Sequence, residues 1–197
     1  MNTRINHTSS LWCVLAMAGT LPLASLGGCG KSEAASHAPL AKAAAPEFVD
    51  TSFGFRVTPP IDWRVAPPQS IVGLDKVVKV WATKDLSTIV AFTQEPGVPV
   101  SAGYLLNATV GPMTQRGFKV SSQGVVNIAG TDAMSVKLSG PGTGIAIGPG
   151  NVRTYQHWIA IPKGNRVLVL MLTTPDATKD ENAKAFEEMV QSLKLDC

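Results

Sequence analysis

Two neighbouring segments near the end of the chain are apolar on both faces, and they restrict the fold more than any other feature. Residues 152–161 and 166–173 are joined by residues 162–165, Pro-Lys-Gly-Asn, a sequence typical of a turn. A strand that is apolar on both faces must be covered on both sides. The sequence therefore predicts a central strand pair with helices on each face of its sheet.

Shorter segments with strand-like patterns precede this pair. They are residues 52–57, 61–65, 75–82, 87–94, 118–128 and 133–138. Because proline cannot continue a central ladder, Thr-Pro-Pro at 58–60 predicts an edge or a corner between the first two segments. Residues 83–86 predict a hairpin turn, and residues 129–131 predict another between the last two segments.

The segment 133–138 has the clearest alternation in the chain. Met134, Val136 and Leu138 are apolar, and the residues between them are Ala133, Ser135 and Lys137. This period of two predicts a strand with one buried face and one face in water.

Two helices are expected to cover the sheet. Ser101 is a suitable N-cap for a helix that runs toward Arg116, although Gly111-Pro112 should kink or break it. After Pro175, a second helix places its apolar residues on one face. These residues are Asn182, Phe186, Met189, Val190 and Leu193. The order of elements, without regular βαβ alternation, predicts an α+β fold in which helices flank an antiparallel β-sheet.

The first 28 residues have the pattern of a bacterial signal peptide. Arg4 is followed by an uncharged apolar stretch over residues 11–26, which is short for a membrane-spanning helix. Leu26-Gly27-Gly28-Cys29 resembles a lipobox, which implies cleavage between Gly28 and Cys29 and covalent lipid on Cys29. Acyl chains on Cys29 would hold the protein on a membrane.

Residues 29–46 are expected to form the lipidated cysteine and a flexible, Ala-rich tether, and residues 47–197 the folded domain. Gly30 stands where an inner-membrane retention signal would favour Asp. We therefore expect the outer membrane, facing the periplasm, rather than the inner membrane. Cys197 would be the lone free thiol of the processed chain, which excludes an intrachain disulfide.

Charge argues against nucleic acid as a partner. The formal net charge is +3, and residues 1–28 contribute only Arg4 to it, so the processed chain carries +2. Its lysines and arginines are scattered, whereas a nucleic-acid-binding stripe would cluster them.

His157 is the single histidine of the expected domain, and it alternates with Arg153 and Tyr155 on one strand. One histidine cannot build a His-rich metal site, and a structural role is the favoured interpretation. Trp63, Trp81 and Trp158 could instead line a groove for an apolar or sugar ligand, although aromatic residues on strands are usually core. The candidate binding surface consists of Trp63, Arg153, Tyr155, His157 and Trp158.

Catalytic signatures are not found in the sequence. Gly-x-Ser-x-Gly, His-Glu-x-x-His, Ser-x-x-Lys and Cys-x-x-Cys are missing, and the glycine-rich residues 139–150 lack the Gly-Lys-Ser/Thr ending of a phosphate loop. We therefore expect a protein that is not an enzyme and has no cofactor or metal.

The order of elements resembles the PsbP-like family, including its DcrB-like and LpqN-like bacterial lipoprotein branch. The resemblance rests on Phe-Gly-Phe-Arg-Val at 53–57, Pro-Ile-Asp-Trp at 60–63, Gly-Phe-Lys-Val at 117–120 and residues 186–193, and it covers residues 48–195. It implies an α-β-α sandwich and non-enzymatic roles in binding or assembly. No functional residue of the family carries over to this chain.

These observations predict a membrane-anchored lipoprotein of the cell envelope that binds or helps to assemble an envelope protein. The alternative is a periplasmic carrier of a small ligand or lipid, with a pocket between sheet and helix near Trp63 or Trp158.

Overall fold

The computed structural model describes residues 45–66, 77–99, 101–142 and 152–196, which form strands and two α-helices. The strands are β1 (Phe48–Asp50), β2 (Phe55–Val57), β3 (Arg64–Ala66), β4 (Val78–Lys84), β5 (Ser87–Gln94), β6 (Lys119–Ile128), β7 (Thr131–Pro141), β8 (Arg153–Lys163), β9 (Arg166–Pro175) and β10 (Lys194–Leu195). The helices are α1 (Ala102–Gln115) and α2 (Lys179–Gln191), and a 3₁₀ turn at Asp176–Thr178 leads into α2.

Seven strands form an antiparallel sheet in the order β3-β4-β5-β9-β8-β7-β6. Strand β9 lies in its middle, between β5 and β8. Leu168, Leu170 and Leu172 are fully buried on one face of β9, and Val167 and Val169 are buried on the other. The predicted central strand pair and the α+β class are confirmed.

Helix α2 covers one face of the sheet, which we call the α2 face. Phe186, Met189 and Val190 are buried in the same cluster as the three β9 leucines. Asn182 is buried beside them on the same face of the helix. The predicted apolar face of this helix is confirmed.

Helix α1 packs against β7 and β8 on the opposite, α1 face, through Ala102 and Leu106. The Ser101 hydroxyl caps it by accepting the Tyr104 N–H at 3.1 Å, as predicted. The expected break at Pro112 does not occur. Pro112 lies in the last turn, where its own carbonyl still accepts the Arg116 N–H, so the helix continues past it.

Strand β7 differs from the prediction that one of its faces is in water. Val136 and Leu138 are buried against α1, but Ala133 and Ser135 on the other face are also buried. Helix α2 and neighbouring side chains cover this second face, and no local sequence pattern encodes that cover.

A small second sheet, in the order β1-β2-β10, joins the start of the described chain to its end. The predicted strand over residues 52–57 begins only at Phe55, because Asp50 accepts the Phe53 N–H at 2.6 Å and holds residues 51–54 in a turn. Gly54 has φ +80° in that turn, a conformation that suits glycine. The Pro-Pro segment leads from this sheet to β3 of the large one, so the predicted corner is confirmed.

Lys163 ties the small sheet to the large one. Its ammonium group donates to the backbone carbonyls of Phe53 at 3.0 Å, Gly54 at 3.2 Å and Asp196 at 2.5 Å. Arg166 adds a bond to the Ser52 carbonyl and lies over the Phe53 ring. We call this group of contacts the Lys163 clasp.

Several predictions concern residues outside the described ranges. These are the signal peptide, Cys29, most of the tether, residues 143–150 of the glycine-rich segment, and Cys197. Residues 139–141 of that segment belong to β7. Neither helix in the described part of the chain has the length and apolar character needed to cross a membrane.

Gly140 on β7 offers a test of the packing under α1. A Cβ atom there would lie 2.5 Å from the Phe118 ring, whereas a Cβ at Gly124 on β6 would meet no atom within 4 Å. We expect Gly140→Ala to lower the free energy of unfolding by about 1–3 kcal/mol because of overpacking. Gly124→Ala is the matched control and should change it by less than about 0.5 kcal/mol. Urea unfolding measures both, and equal effects would contradict the close contact between Gly140 and the Phe118 ring.

Candidate functional site

An open groove of about 420 Å³ runs between α2 and the strands β6, β7 and β8. Its lining is mainly polar and charged. The lining residues are Ser121, Lys137, Ser139, Tyr155, Lys179, Asp180, Ala183, Lys184 and Glu187. We call it the α2 groove.

Strand register and helical spacing place these side chains together. Ser139 lies opposite Tyr155 across the β7–β8 ladder, so both point to the α2 face. On α2, Asp180, Lys184 and Glu187 follow at intervals of three and four residues and form one stripe. The groove is therefore the region where the polar stripe of α2 meets polar side chains of β6, β7 and β8.

One ion pair crosses the groove. The Lys137 ammonium on β7 lies 3.4 Å from the Glu187 carboxylate on α2, and both side chains are partly exposed. Lys179 and Lys184 form no ion pair within the described residues. With three lysines and two carboxylates in its lining, the groove is weakly cationic.

Tyr155 forms part of the groove floor. Its side chain is buried apart from 8% of the residue surface, and its hydroxyl makes no hydrogen bond to another described residue. Burial, together with the carboxylates of Glu187 and Asp180, raises the pKa of Tyr155 to about 12. The phenol is therefore neutral at physiological pH and can donate a hydrogen bond to a ligand.

Arg153 is connected to the groove through Asp176. Its Nε atom lies 3.2 Å from one carboxylate oxygen of Asp176, and the other oxygen accepts the Ser139 hydroxyl at 3.3 Å. The sequence prediction that Arg153 and Tyr155 share a surface is consistent with this arrangement.

His157 lies beneath α2, next to Tyr155 on the same strand face. Only 4% of its surface is exposed, and its ring contacts Phe186 at a centroid distance of 5.1 Å. Its Nε2 atom is 2.9 Å from the Ser135 hydroxyl, while Nδ1 is buried without a hydrogen-bond partner among the described residues. Burial, and to a smaller extent the charge of Lys137, lower the pKa of His157 to about 4.

The distance between the Ser135 hydroxyl and His157 Nε2 is suitable for a nucleophile and its general base, but the residues around the pair are not those of a catalytic site. Both residues are covered, so a substrate has no path to the hydroxyl. No described carboxylate bonds to Nδ1, where a catalytic histidine would be oriented. A structural role therefore stays the favoured interpretation of His157.

The two tryptophans do not share a surface. Trp63 is buried in the same cluster as Phe186, on the α2 side of the sheet. Trp158 packs on the α1 side against Met171 and donates its ring N–H to Gln156 at 2.9 Å. Of the five residues proposed from sequence, the structure therefore brings only Arg153, Tyr155 and His157 together near the groove.

Sequence reasoning missed Lys137, Lys179 and Lys184 as members of a site. The polar positions of the 133–138 alternation and the polar side of the last helix were both visible. The contact between these two surfaces could not be predicted, because Lys137 and Glu187 are 50 residues apart in sequence and meet only through the packing of α2. Within the described residues, no cluster of histidine, cysteine or carboxylate side chains could hold a metal ion.

Solved structures with the same architecture include proteins of three distant organisms. PsbP (CyanoP) of Synechocystis sp. PCC 6803 is 16% identical, with a TM-score of 0.56, over 87% of this chain and 99% of that one. The chain has a PsbP-like fold. LpqN of Mycobacterium tuberculosis, involved in cell envelope biogenesis, is 17% identical, with a TM-score of 0.52, over 77% of this chain and 90% of that one.

The Ran-binding protein Mog1p of Saccharomyces cerevisiae is 12% identical, with a TM-score of 0.51, over 76% of this chain and 94% of that one. No protein-family model and no curated protein sequence matches this chain. At these identities the PsbP-like likeness establishes the fold and leaves function to the residues themselves.

His157 should make stability depend on pH. Its pKa is about 4 in the folded state and 6.5 when unfolded, so between these values only the unfolded chain binds the proton. We expect the free energy of unfolding to fall by about 2 kcal/mol between pH 7 and pH 5 because of this residue. Urea unfolding at several pH values measures the change.

His157→Gln is the comparison for this measurement. It removes the titrating group, while the carboxylates that titrate at lower pH are the same in both proteins. We expect a flatter pH profile for the variant above pH 5. If the free energy of unfolding varied with pH in the same way in both proteins, His157 would not be the source of the pH dependence.

Proposed function

We propose that this protein is a non-enzymatic binding or assembly factor of the cell envelope. In this proposal, lipid on Cys29 holds it on the outer membrane facing the periplasm, and the α2 groove binds a segment of an envelope protein. The observation that carries the proposal is the open groove, whose floor offers the Tyr155 hydroxyl, which makes no hydrogen bond within the described part of the chain.

The lining of the groove favours a polar peptide segment. Tyr155 and the ammonium groups of Lys179 and Lys184 are hydrogen-bond donors without ion-pair partners among the described residues. Backbone carbonyls and carboxylates of a bound segment would satisfy these donors. Asp180 and Glu187 limit the cationic character of the groove, so a mixed polar segment fits better than a strongly acidic one.

Two further observations support a role in the envelope. The Leu-Gly-Gly-Cys sequence at 26–29 has the pattern of a lipoprotein processing site. LpqN, which has the same fold, is described as involved in cell envelope biogenesis.

The alternative function, a carrier of lipid or of an apolar ligand, gains no support from the groove. Acyl chains require an apolar cavity, and charged side chains line this one. Trp63, which was a candidate for such a pocket, is buried in the core.

A photo-crosslinking residue at Lys184 tests the proposed contact in intact cells. We expect one reproducible envelope protein to be captured, and we expect capture to fall several-fold when Lys179→Glu is added, because the groove then loses a cation. The control position is Tyr104 on α1, which is 66% exposed and lies on the other side of the sheet. Equal capture from both positions, or no capture from Lys184, would refute the groove as a binding site.

Mass measurement of the mature amino terminus tests the anchor. We expect the wild-type protein to begin at Cys29 with added acyl mass and to fractionate with membranes. Cys29→Ser should lose the acyl mass and leave the membrane fraction, because the covalent chains supply the membrane affinity. A wild-type terminus without acyl mass would refute the lipid anchor. The proposal that the α2 groove binds a protein segment would still be tested separately by crosslinking.

A further inference from the structure

Several hydrogen-bond donors in the lining of the α2 groove are already engaged within the protein. The Ser121 hydroxyl donates to the Lys137 carbonyl at 3.1 Å, and the Ser139 hydroxyl donates to the Asp176 carboxylate at 3.3 Å. The Lys137 ammonium forms its ion pair with Glu187. These groups are therefore less available to a ligand than the rest of the lining.

The donors that remain are the Tyr155 hydroxyl and the ammonium groups of Lys179 and Lys184. Both lysines are exposed on α2 and make no hydrogen bond or ion pair within the described residues. Tyr155 faces them from β8, on the floor of the same groove. A phenol and two cations thus surround one volume, and a ligand that fills it must be a hydrogen-bond acceptor.

The Tyr155 hydroxyl is the fixed member of this set. The residue is only 8% exposed, and its ring belongs to the core cluster under α2. Its Oη atom makes no hydrogen bond within the described part of the chain, yet it is not among the fully covered polar atoms there that lack a partner. The oxygen is therefore open to the groove. A donor held in place by core packing binds an acceptor at a low cost in conformational entropy.

The charge of the lining selects an acceptor with one negative charge. Glu187 is paired with Lys137, which leaves Lys179 and Lys184 against Asp180. The surplus is one positive charge. A carboxylate reduces this surplus to zero, whereas a phosphate group with nearly two charges would leave an excess of negative charge beside Asp180. A neutral amide would accept the phenol hydrogen bond but leave the surplus cation without a counter-charge.

We propose that the α2 groove binds one carboxylate group of its partner segment, seated between the Tyr155 hydroxyl and the ammonium groups of Lys179 and Lys184. This inference rests on the proposed binding function and adds the chemistry that the groove selects. The phenol donates a hydrogen bond to the carboxylate, and the two lysines supply the opposite charge. An Asp or Glu side chain and a chain terminus offer the same acceptor group.

Dye-labelled peptides test this selection on the purified full-length protein in nonionic detergent micelles. The Asp probe is Ser-Ala-Asp-Ala-Ser with an amidated end, and the Asn probe is the matched control with Asn in place of Asp. Fluorescence anisotropy gives the dissociation constants. We expect the Asp probe to bind about tenfold more tightly, because hydrogen bonds to a charged acceptor are stronger. Equal affinities would overturn the proposal and leave the groove as a site for neutral polar segments.

Two further probes distinguish the kind and the source of the anion. One carries phosphoserine in place of Asp, and the other is Ser-Ala-Ala with a free terminal carboxylate. We expect the phosphoserine probe to bind no more tightly than the Asp probe. Binding about tenfold tighter would overturn the choice of a carboxylate. Of the two carboxylate probes, the one that binds more tightly identifies the source as a side chain or a chain terminus.

A tyrosine variant tests the phenol. Tyr155→Phe removes the hydroxyl and keeps the ring that packs in the core. We expect it to weaken the Asp probe about tenfold, and the Asn probe much less. Tyr104→Phe is the matched control, because Tyr104 is 66% exposed on α1, on the other side of the sheet. Equal effects of the two variants on the Asp probe would overturn the proposal.

Two variants on α2 test the charges, with opposite expected signs. Lys184→Gln should weaken the Asp probe about threefold, and Asp180→Asn should tighten it by about the same factor. Lys194→Gln, at an exposed position on β10 outside the groove, should leave it unchanged. Circular dichroism checks that the variants are folded. Weaker binding to Asp180→Asn would show that the surplus positive charge does not select the ligand, which overturns the proposal.

The chain has only two tyrosines, Tyr104 and Tyr155, so tyrosine labelling with ¹³C locates the bound probe. Titration with the Asp probe should shift the Tyr155 ring signals in the NMR spectrum and leave those of Tyr104 unchanged. A shift of Tyr104 alone would place the probe outside the groove and overturn the proposal. Selection of Asp over Asn without capture of a protein in cells would instead refute the envelope role and keep the carboxylate site.

Discussion

The burial of β9 on both faces is the constraint on which the rest of this structure depends. Leucines fill one face of the strand and valines the other, so neither face can be left to water. Helix α2 covers the first face, and α1 covers part of the second. The two helices cover the strands near β9 and leave much of the outermost strand β6 exposed. The α2 groove opens beside α2, over β6, β7 and β8.

A buried polar network fixes the position of α2 over this sheet. The Asn182 amide donates to the hydroxyls of Ser87 on β5 and Thr174 on β9, each at 2.9 Å, and these hydroxyls lie 2.9 Å from each other. Buried hydrogen bonds of this kind favour one placement of a helix over others that apolar contacts alone would allow. Because α2 supplies five of the nine residues that line the groove, this network also positions one wall of the groove.

Local patterns were sufficient to predict the elements that bury apolar residues. They identified the central pair β8–β9, the hairpin β6–β7 and the inner face of α2, since each depends on residues close in sequence. They failed where distant parts of the chain decide the outcome. Ser135 is buried because α2 and His157 lie over it.

The candidate site was less predictable than the fold for the same reason. Arg153, Tyr155 and His157 could be placed on one strand face from their spacing, but the lysines that accompany them come from β7 and α2. The tryptophans were misleading, because bulky aromatic side chains have the same appearance in a core as in a binding groove.

The Lys163 clasp also has a mechanical meaning. The segment before Phe48 enters the fold through the small sheet, whose strands β1, β2 and β10 are short. A pulling force on that segment would reach the large sheet partly through one ammonium group and the three carbonyls it binds. The small sheet would then separate from the large one first, while the α2 groove and strand β6 remained folded.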